Sequence, residues 1–376
     1  MNNDSPLKVL FLLPNLSAGG AEKLAIDLAN ALSSRNLEVE LLVHEGVGGF
    51  SKLPKNFTLT CVHNRPFQSK DYLRNFWATF QAVKNADVVV GALEGRASWL
   101  GVLAARLRRK PFVTWIHNSW NHYRNLVPTS HLNLLKAVIS QSQAVLCCSQ
   151  AAWEDIRQIC PASEDKMSVL ANAVDVAKTQ AQSQEPLPEA WSFLATTDYM
   201  VSIGRLEDQK RFKELVLAHS KVVANGEDRH IVIVGEGAQR QMLESYAKEL
   251  GIADKVHLVG FHKNPHVFLK YARAFVCTSY VEGFHLGLVE AMACGNPIIS
   301  YVCKGPREIL GDNQFGQLVP NGDNDALAEK LQEMWAREES HQKWKQLSIK
   351  RSLDFDFPRY TDRWVSALND LAKSSK

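Results

Sequence analysis

Residues 282–300 read EGFHLGLVEAMACGNPIIS. The apolar run AFVCTS, at 274–279, comes before this stretch, and a second run, NPIISY at 296–301, overlaps its end. A short apolar strand, a helix and another apolar strand form the unit from which parallel sheets are built. Two carboxylates, Glu282 and Glu290, stand on the loop before the predicted helix and within it. The stretch is therefore both a clue to the fold and a candidate for a functional site.

The same alternation of strands and helices extends over the whole chain. Helix-period segments such as AEKLAIDLANALSSR lie between several of the apolar runs. The pattern predicts mostly parallel sheets covered on both faces, in two doubly wound, Rossmann-like α/β domains that face each other across a cleft. Predicted strands of the first domain are 8–14, 38–44, 57–63, 87–93, 112–118, 144–149 and 167–174. Those of the second are 199–205, 230–237, 255–261, 274–279, 296–301 and 316–320.

Length supports two domains, since 376 residues exceed what one hydrophobic core usually serves. The stretch at 177–192 loses periodicity and is rich in Gln, Ser and Pro. We therefore expect a first domain at 1–178, a linker at 179–198 and a second domain at 199–356.

Composition excludes several classes of protein. Hydrophobic residues make up 45% and charged residues 22% of the chain, and no apolar run approaches the length of a membrane-spanning helix. The amino-terminal MNNDSPLKVLFLLPN reads as a first buried strand, because it has no basic leader region and no small-residue cleavage site. Seven cysteines at these spacings give neither a metal site nor a disulfide framework, so a cytoplasmic protein is expected.

Positive charge is concentrated in one span. The formal net charge is +3, but residues 65–136 hold eleven Lys or Arg against three Asp or Glu, a difference of +8. Such a region is either a solvated face or a surface that attracts an anionic membrane or an anionic acceptor. Nucleic acid is not an expected partner, because no recognised nucleic-acid module accompanies the charge.

Candidate ligand-binding residues follow predicted strands. Gly19 and Gly20 precede a helix, where they either let backbone N–H groups approach a phosphate or simply form a turn. Arg205 and Lys210 stand at the carboxyl end of the strand at 199–205 and at the start of the following helix, where two cations suit a diphosphate. Exposed charges in a polar loop explain them better when the loop is taken by itself, but Glu282 at the end of another strand of the same sheet favours the diphosphate. His117 ends a strand on the edge that should face the cleft, so it is either structural or functional.

Four segments together resemble a known family. GGAE near the amino terminus, SIGRLEDQK in the middle, EGFHLGLVEAMACGNPII and the following GPREIL resemble the retaining, nucleotide-sugar-dependent glycosyltransferases of family 4, which have the GT-B fold. The resemblance covers nearly the whole chain, and its specific part is the E-x7-E segment with its AMACG-P tail. GPREIL is similar to the segment of transferases that build bacterial surface polysaccharide or lipopolysaccharide, often from UDP-linked hexoses or N-acetylhexosamines.

The resemblance implies roles for individual residues. Glu290 would accept hydrogen bonds from the ribose hydroxyls of the donor, and Glu282 would lie beside the transferred sugar. Arg205 and Lys210 would bind the diphosphate, so neither a metal nor another cofactor is expected besides the nucleotide sugar as co-substrate. His117 would contact the donor sugar or its phosphate.

The remaining donor contacts would come from backbone groups. By the resemblance, Gly19 and Gly20 approach the donor from the first domain. Backbone N–H groups at the start of the helix would donate to sugar hydroxyls and phosphate oxygens; they belong to Gly283, Phe284, His285 and Leu286. Since His285 and Leu286 occupy positions that vary with the donor, the sugar remains open.

The expected activity is retaining transfer of a hexose or N-acetylhexosamine to a hydroxyl of a glycan or lipid-linked glycan, at the inner face of the cytoplasmic membrane. In this fold a carboxy-terminal helix, here about 357–376, packs back on the first, acceptor-binding domain. Two alternatives stay open. A sugar-nucleotide epimerase shares the architecture but should show a different set of cleft residues. A non-catalytic scaffold should have lost Arg205, Lys210 or Glu282, which are all present.

Overall fold

A computed structural model describes residues 5–16, 20–46, 56–125, 127–224 and 226–374. The chain divides into two compact units. The first unit comprises Met1–Asn172 together with Pro358–Lys376, and the second comprises Ala173–Phe357. None of the helices within the described ranges has the length and hydrophobicity needed to cross a membrane.

The first unit is built on a parallel sheet whose order, within its described residues, is β3-β2-β1-β4-β5-β6-β7. Every strand of it was expected from the sequence. The middle strands are buried along nearly their whole length, as parallel strands covered on both faces must be. The strands are β1 Lys8–Leu13, β2 Glu38–Glu45, β3 Thr58–His63, β4 Val88–Gly91, β5 Phe112–Ile116, β6 Ala144–Cys147 and β7 Met167–Val169.

Helices α1 to α6 connect these strands. Three of them, α2, α3 and α5, contribute Val83, Val102 and Val138 to one apolar cluster with Leu10, Leu12 and other sheet residues, so they cover the same face of the sheet. The helices are α1 Gly20–Ser33, α2 Tyr72–Asn85, α3 Arg96–Arg108, α4 Trp120–Tyr123, α5 Thr129–Gln141 and α6 Gln150–Ile159.

The second unit repeats the design with a parallel sheet of order β10-β9-β8-β11-β12-β13. The strands are β8 Tyr199–Ile203, β9 His230–Val234, β10 Val256–Gly260, β11 Phe275–Cys277, β12 Ile298–Tyr301 and β13 Gln317–Val319. The helices of this unit are α7 Val176–Ser183, α8 Phe212–Val223, α9 Arg240–Glu249, α10 Leu286–Ala293, α11 Lys304–Leu310, α12 Asn324–Ala336 and α13 Glu338–Ser352. The predicted pair of doubly wound α/β domains is confirmed.

The segment expected as a linker, 179–198, is instead folded into the second unit, which begins at Ala173. Asp175 caps α7 by accepting a hydrogen bond from the Lys178 N–H (2.9 Å). A 3-10 helix, Glu189–Thr196, buries Leu194. The sequence hid this order because α7 buries Val176 with two polar residues, Thr179 and Ser183, and so has no apolar periodicity.

The last helix, α14 (Phe357–Ser374), belongs to the first unit from Pro358 onward. Its Trp364 is fully buried, 4.9 Å from the ring of Trp115 in β5 and 6.0 Å from that of Phe11 in β1. The Arg363 guanidinium donates to the carbonyl of Val169 (2.7 Å). The first unit is thus completed by residues from the far end of the sequence.

Candidate active site

Lys210 and Glu282 meet in the second unit. The Lys210 ammonium donates to Glu282 Oε1 at 2.7 Å, and the two side chains are 17% and 12% exposed. Lys210 ends a single 3-10 turn, Asp208–Lys210, that follows β8, and Glu282 lies on the loop after β11. Because β8 and β11 are neighbours in a parallel sheet, their carboxyl ends lie side by side. The sheet order brings together two residues that the sequence singled out separately.

Three further hydrogen bonds join the two loops that carry this pair. The Thr278 hydroxyl donates to the Lys210 carbonyl (2.8 Å), and the Gln209 amide donates to the Val281 carbonyl (2.8 Å). The Tyr280 N–H donates to the Gln209 carbonyl (3.2 Å). The charged groups are therefore held in place by backbone and side-chain contacts in advance of any ligand.

Two glycines allow the loops to come this close. A Cβ added at Gly204 would stand 3.1 to 3.5 Å from the side-chain atoms of Lys210, which lies along this glycine. A Cβ added at Gly305, in α11, would stand 3.0 Å from the Glu282 carbonyl, which accepts a hydrogen bond from the Gly305 N–H (3.3 Å). Any side chain at Gly305 would push against the backbone of the Glu282 loop.

The pair is charged at neutral pH. Burial by itself would raise the pKa of Glu282, but the nearby Lys210 and the His285 imidazole outweigh it and bring that pKa below its usual value. Burial would likewise lower the pKa of Lys210, but the Glu282 carboxylate, together with Cys277, outweighs it and raises that pKa. The site thus holds a buried cation paired with a carboxylate.

His285 is turned into the protein. Its Nδ1 accepts a hydrogen bond from the Leu288 N–H (3.0 Å) and so caps α10. Its ring also hydrogen-bonds the Cys277 thiol and meets Phe275 edge to face. The imidazole is buried by these contacts, so what His285 presents at this loop is its backbone.

The neighbours of His285 in this loop differ in their exposure to solvent. Phe284 is buried against Phe355, with the ring centroids 5.4 Å apart, whereas Gly283 and Leu286 are partly exposed. The backbone around the start of α10 is the part of the loop that a ligand could meet.

Glu290 lies in the second turn of α10, with its Oε1 3.4 Å from Nε2 of the buried His266. The Nδ1 of that histidine is 3.2 Å from the Gln182 amide oxygen, in α7. Sequence reasoning missed both His266 and Gln182, because neither lies in a recognisable motif. His266 thus lies beside one oxygen of the Glu290 carboxylate.

Arg205 is the most exposed of the candidate charges, with a side chain 71% exposed. It forms an ion pair with Glu207 (2.9 Å). Its positive charge favours a lower pKa for Lys210, as the smallest of the effects on that residue. Two glycines of the segment GEGAQR, at 235–240, lie close to the backbone on either side of Arg205. A Cβ at Gly235 would overlap the Gly204 carbonyl, and one at Gly237 would lie 2.5 Å from the Leu206 carbonyl. The loop after β9 thereby supports the backbone on which Arg205 stands.

His117 follows β5 in the first unit. Its ring packs on Trp115, with the ring centroids 4.2 Å apart. Burial lowers the pKa of His117 to about 4, against weaker opposing effects of the Glu94 carboxylate and the Ala92 backbone. Neither ring nitrogen, both buried, makes a hydrogen bond of normal geometry within the described residues. The imidazole is therefore neutral at physiological pH.

Glu94, which sequence reasoning missed, holds the loop that bears His117. Its Oε1 accepts hydrogen bonds from the backbone N–H groups of His117 (2.8 Å) and Asn118 (3.0 Å) and from the Trp120 indole (3.2 Å). Its Oε2 accepts from the Asn118 amide (3.1 Å). Glu94 follows β4, the neighbour of β5, and this shared sheet edge was the signal that could have identified it.

A second carboxylate, also missed, fixes the following residues. The buried Asp155, in α6, accepts from the Ser119 hydroxyl (2.8 Å) and from the backbone and side chain of Asn121 (3.1 and 2.6 Å). Residues 117–121 are therefore held at both ends.

The remaining predictions concern glycines and metals. Gly20 is the first residue of α1, while Gly19 lies outside the described residues. Over the described ranges, no group of three or more His, Cys, Asp or Glu side chains is arranged to hold a metal ion. All seven cysteines are free.

Each of the two units matches the model of a known protein family. The family model "Glycosyltransferase Family 4" matches residues 18–178, and "Glycosyl transferases group 1" matches residues 183–351. The fold is similar to that of Anabaena Alr3699/HepE in complex with UDP and glucose, with a TM-score of 0.84, 19% identity and coverage of 97% of this chain and 100% of that chain.

Two relatives come from Campylobacter jejuni. The first is an N-acetylgalactosamine-N,N'-diacetylbacillosaminyl-diphospho-undecaprenol 4-alpha-N-acetylgalactosaminyltransferase, 28% identical over 65% of this chain and 64% of that protein. The second, a GalNAc-alpha-(1->4)-GalNAc-alpha-(1->3)-diNAcBac-PP-undecaprenol alpha-1,4-N-acetyl-D-galactosaminyltransferase, is 24% identical over 97% of this chain and 99% of that protein. With both family models matched in order along a GT-B fold, the chain belongs to the family 4 glycosyltransferases.

Proposed function

We propose that this protein is a retaining, metal-independent glycosyltransferase. It moves a hexose or N-acetylhexosamine from a nucleotide diphosphate sugar, with UDP as the favoured nucleotide, to a hydroxyl of a glycan or lipid-linked glycan. The reaction belongs to cell-surface polysaccharide or lipopolysaccharide assembly, by a cytoplasmic enzyme that works at the inner face of the membrane. The observation that carries this proposal is the buried ion pair of Lys210 and Glu282.

Charge separation is what such a reaction demands. As the bond between the anomeric carbon and the diphosphate breaks, the electron pair leaves on a phosphate oxygen. A cation already fixed near that oxygen stabilises the transition state more than the ground state. Lys210 meets this requirement because Glu282 keeps it protonated in a buried setting. The exposed Arg205 supplies a second cation for the outer part of the diphosphate.

The remaining residues orient the donor. Glu290 accepts hydrogen bonds from the ribose hydroxyls, and backbone N–H groups of Gly283 and its neighbours at the start of α10 donate to the sugar and phosphates. Glu282 lies beside the sugar and positions Lys210. His117, whose imidazole is neutral, contacts the donor sugar or its phosphate.

Retention follows from attack on the face that the diphosphate leaves. The acceptor oxygen forms its bond to the anomeric carbon as the diphosphate departs, and its proton passes to the departing phosphate oxygen. In this scheme Glu282 is not a nucleophile; it acts through charge and position.

The relatives support the choice of substrates. The two Campylobacter enzymes are named for N-acetylgalactosamine transfer to diphospho-undecaprenol-linked glycans, and the Anabaena protein was crystallised with UDP and glucose. These names favour a UDP-sugar donor and a lipid-linked glycan acceptor for this protein too.

The experiment is a panel of UDP-, GDP- and ADP-sugars incubated with the purified protein in EDTA, read by thermal shift and by slow release of free nucleotide. We expect one donor to stabilise and to be hydrolysed, with release lost in Glu282→Ala. Configuration at the new linkage, measured by NMR, tests retention. Binding without release would favour a scaffold, and conversion of the sugar nucleotide without an acceptor would favour an epimerase.

A further inference from the structure

Apolar side chains stand exposed on one helical layer of the first unit. Leu73 and Trp77 of α2 are 82% and 61% exposed, and Leu103 and Leu107 of α3 are 47% and 60% exposed. Within the described part of the first unit, every exposed large apolar side chain lies on α2, α3 or α5, the helices that share one face of the sheet. These residues are Tyr72, Leu73, Trp77, Leu103, Leu107 and Leu134.

The spacing makes the residues within each pair project together. Leu73 and Trp77 are four positions apart, as are Leu103 and Leu107, so each pair shares one side of its helix. The Arg108 guanidinium of α3 lies 3.8 Å over the Phe80 ring of α2, which places the two helices side by side. Large apolar side chains gathered on one layer of a protein commonly mark an interaction site.

The charged side chains of these three helices have a single sign, and one of them, Arg96, is paired with Glu45 of β2. Helices α2, α3 and α5 contain no Asp or Glu and six basic residues: Arg74, Lys84, Arg96, Arg106, Arg108 and Lys136. By contrast, α1 and α6 both carry acids. Arg74, Lys84 and Lys136 form no ion pair with any residue that the structure describes.

A basic cavity lies at the end of α3. Arg106, Arg109 and Lys110 line it together with Gln141 and other residues, and its volume is about 420 Å³. The layer therefore offers exposed Leu and Trp side chains together with cations that have room for an anion.

We propose that the outer surface of α2, α3 and α5 is a docking face for an anionic lipid bilayer. Leu73, Trp77, Leu103 and Leu107 enter the interfacial region of the bilayer, and the basic residues meet phospholipid phosphates. A bilayer suits this layer because its phosphates are mobile and adapt to scattered cations. The inference extends the proposed function by naming the surface that reaches the membrane. It rests on that function only for the acceptor, since docking requires neither donor nor transfer.

The test is flotation of the full-length protein with vesicles of phosphatidylcholine alone or mixed with phosphatidylglycerol, without donor or acceptor. We expect binding to the mixed vesicles at low salt and little binding to phosphatidylcholine. Leu73→Ser/Trp77→Ser and Leu103→Ser/Leu107→Ser should each weaken binding at least about tenfold. Arg74→Gln/Arg106→Gln/Lys136→Gln should weaken it on the order of 100-fold and reduce its salt dependence.

A matched control replaces exposed aromatic residues of the second unit, Phe193→Ser/Phe261→Ser, and should bind as the natural protein does. Thermal unfolding and donor-stabilised melting of every variant separate loss of docking from loss of fold or donor binding. Equal binding of both vesicle types, or full binding by the apolar and basic variants, overturns the proposal. So does a dimer in solution that the apolar variants convert to a monomer, because the face then joins two copies of the chain.

Discussion

Lys210 and Glu282 lie 72 positions apart in the chain and meet at 2.7 Å, where each opposes the effect of burial on the pKa of the other. Each residue therefore favours the charged form of the other. The two act as one unit, and removing either should remove most of what the pair does.

This dependence predicts the outcome of a double-mutant cycle. Lys210→Ala should lower kcat/KM by about 100-fold or more, the cost of losing one preorganised charge. Glu282→Ala should cost a similar amount, because burial then lowers the pKa of Lys210 and nothing orients its ammonium. The kcat/KM of the double variant should be no lower than that of the less active single variant. Donor turnover measures the effect, and circular dichroism checks folding. Lys213→Ala, on the exposed side of α8, is the control, and a folded, fully active Lys210→Ala would refute the assigned role.

Glu94 should matter for activity although it touches no reacting atom. It accepts four hydrogen bonds from residues 117–120, so Glu94→Ala leaves buried donors unpaired and frees the loop that bears His117. We expect turnover to fall at least about tenfold, with partial rescue by Glu94→Gln, which keeps one acceptor oxygen. Glu164→Gln, which changes an exposed carboxylate paired with Arg157, is the matched control and should be neutral. Full activity in Glu94→Ala would show that the loop needs no such support.

The cap made by His285 predicts a loss of stability. His285→Ala removes the acceptor for the Leu288 N–H and should lower the free energy of unfolding by about 1 kcal/mol, while His285→Asn, with a side-chain oxygen, should lose less. Urea unfolding measures both. Unchanged stability with weakened donor binding would mean that the ring serves the donor and not the helix.

Acid should destabilise the protein through its buried histidines. Burial lowers the pKa of four of them to about 4: His44, His117, His219 and His257. Their pKa in the unfolded chain is about 6.5, so the unfolded state binds more protons between these values. The free energy of unfolding should therefore fall as the pH falls from 6.5 toward 4, by about 1 kcal/mol for each such histidine at pH 5.5.

Urea unfolding at pH 7 and pH 5.5 checks the acid effect. His219→Gln should remove its share of the pH dependence. A free energy of unfolding that is the same at both pH values would contradict the burial of these rings.

The strands were predictable because each is a short apolar run between polar segments, and a buried parallel strand requires that composition. Lys210 and Glu282 were identified for a related reason: each follows such a run, and carboxyl ends of parallel strands gather at one edge. Their ion pair was not predictable, because the residues of the two loops do not show that β8 and β11 are neighbours in the sheet.

Other parts of the site left no trace in the sequence. Two of the four hydrogen bonds of Glu94 come from backbone N–H groups of another strand's loop, which any residue offers, and the other two come from an Asn and a Trp outside any motif. His285 looked like a loop residue facing the donor, whereas its Nδ1 replaces the Ser, Thr or Asp that usually caps a helix. The order in α7 was missed because buried polar contacts, such as that of the Gln180 amide with the Ala293 carbonyl, produce no hydrophobic pattern.

The burial of Trp364 has a consequence for how the protein is made. Its contacts with Phe11 and Trp115 bring together the earliest and latest parts of the described chain. A ribosome that has made the first 172 residues has produced the whole first sheet but not the helix that covers these rings. The second unit, by contrast, is continuous in sequence and can fold as soon as its residues have left the ribosome. The domain that begins first should thus finish last, and its uncovered aromatic surface is where a chaperone would bind during synthesis.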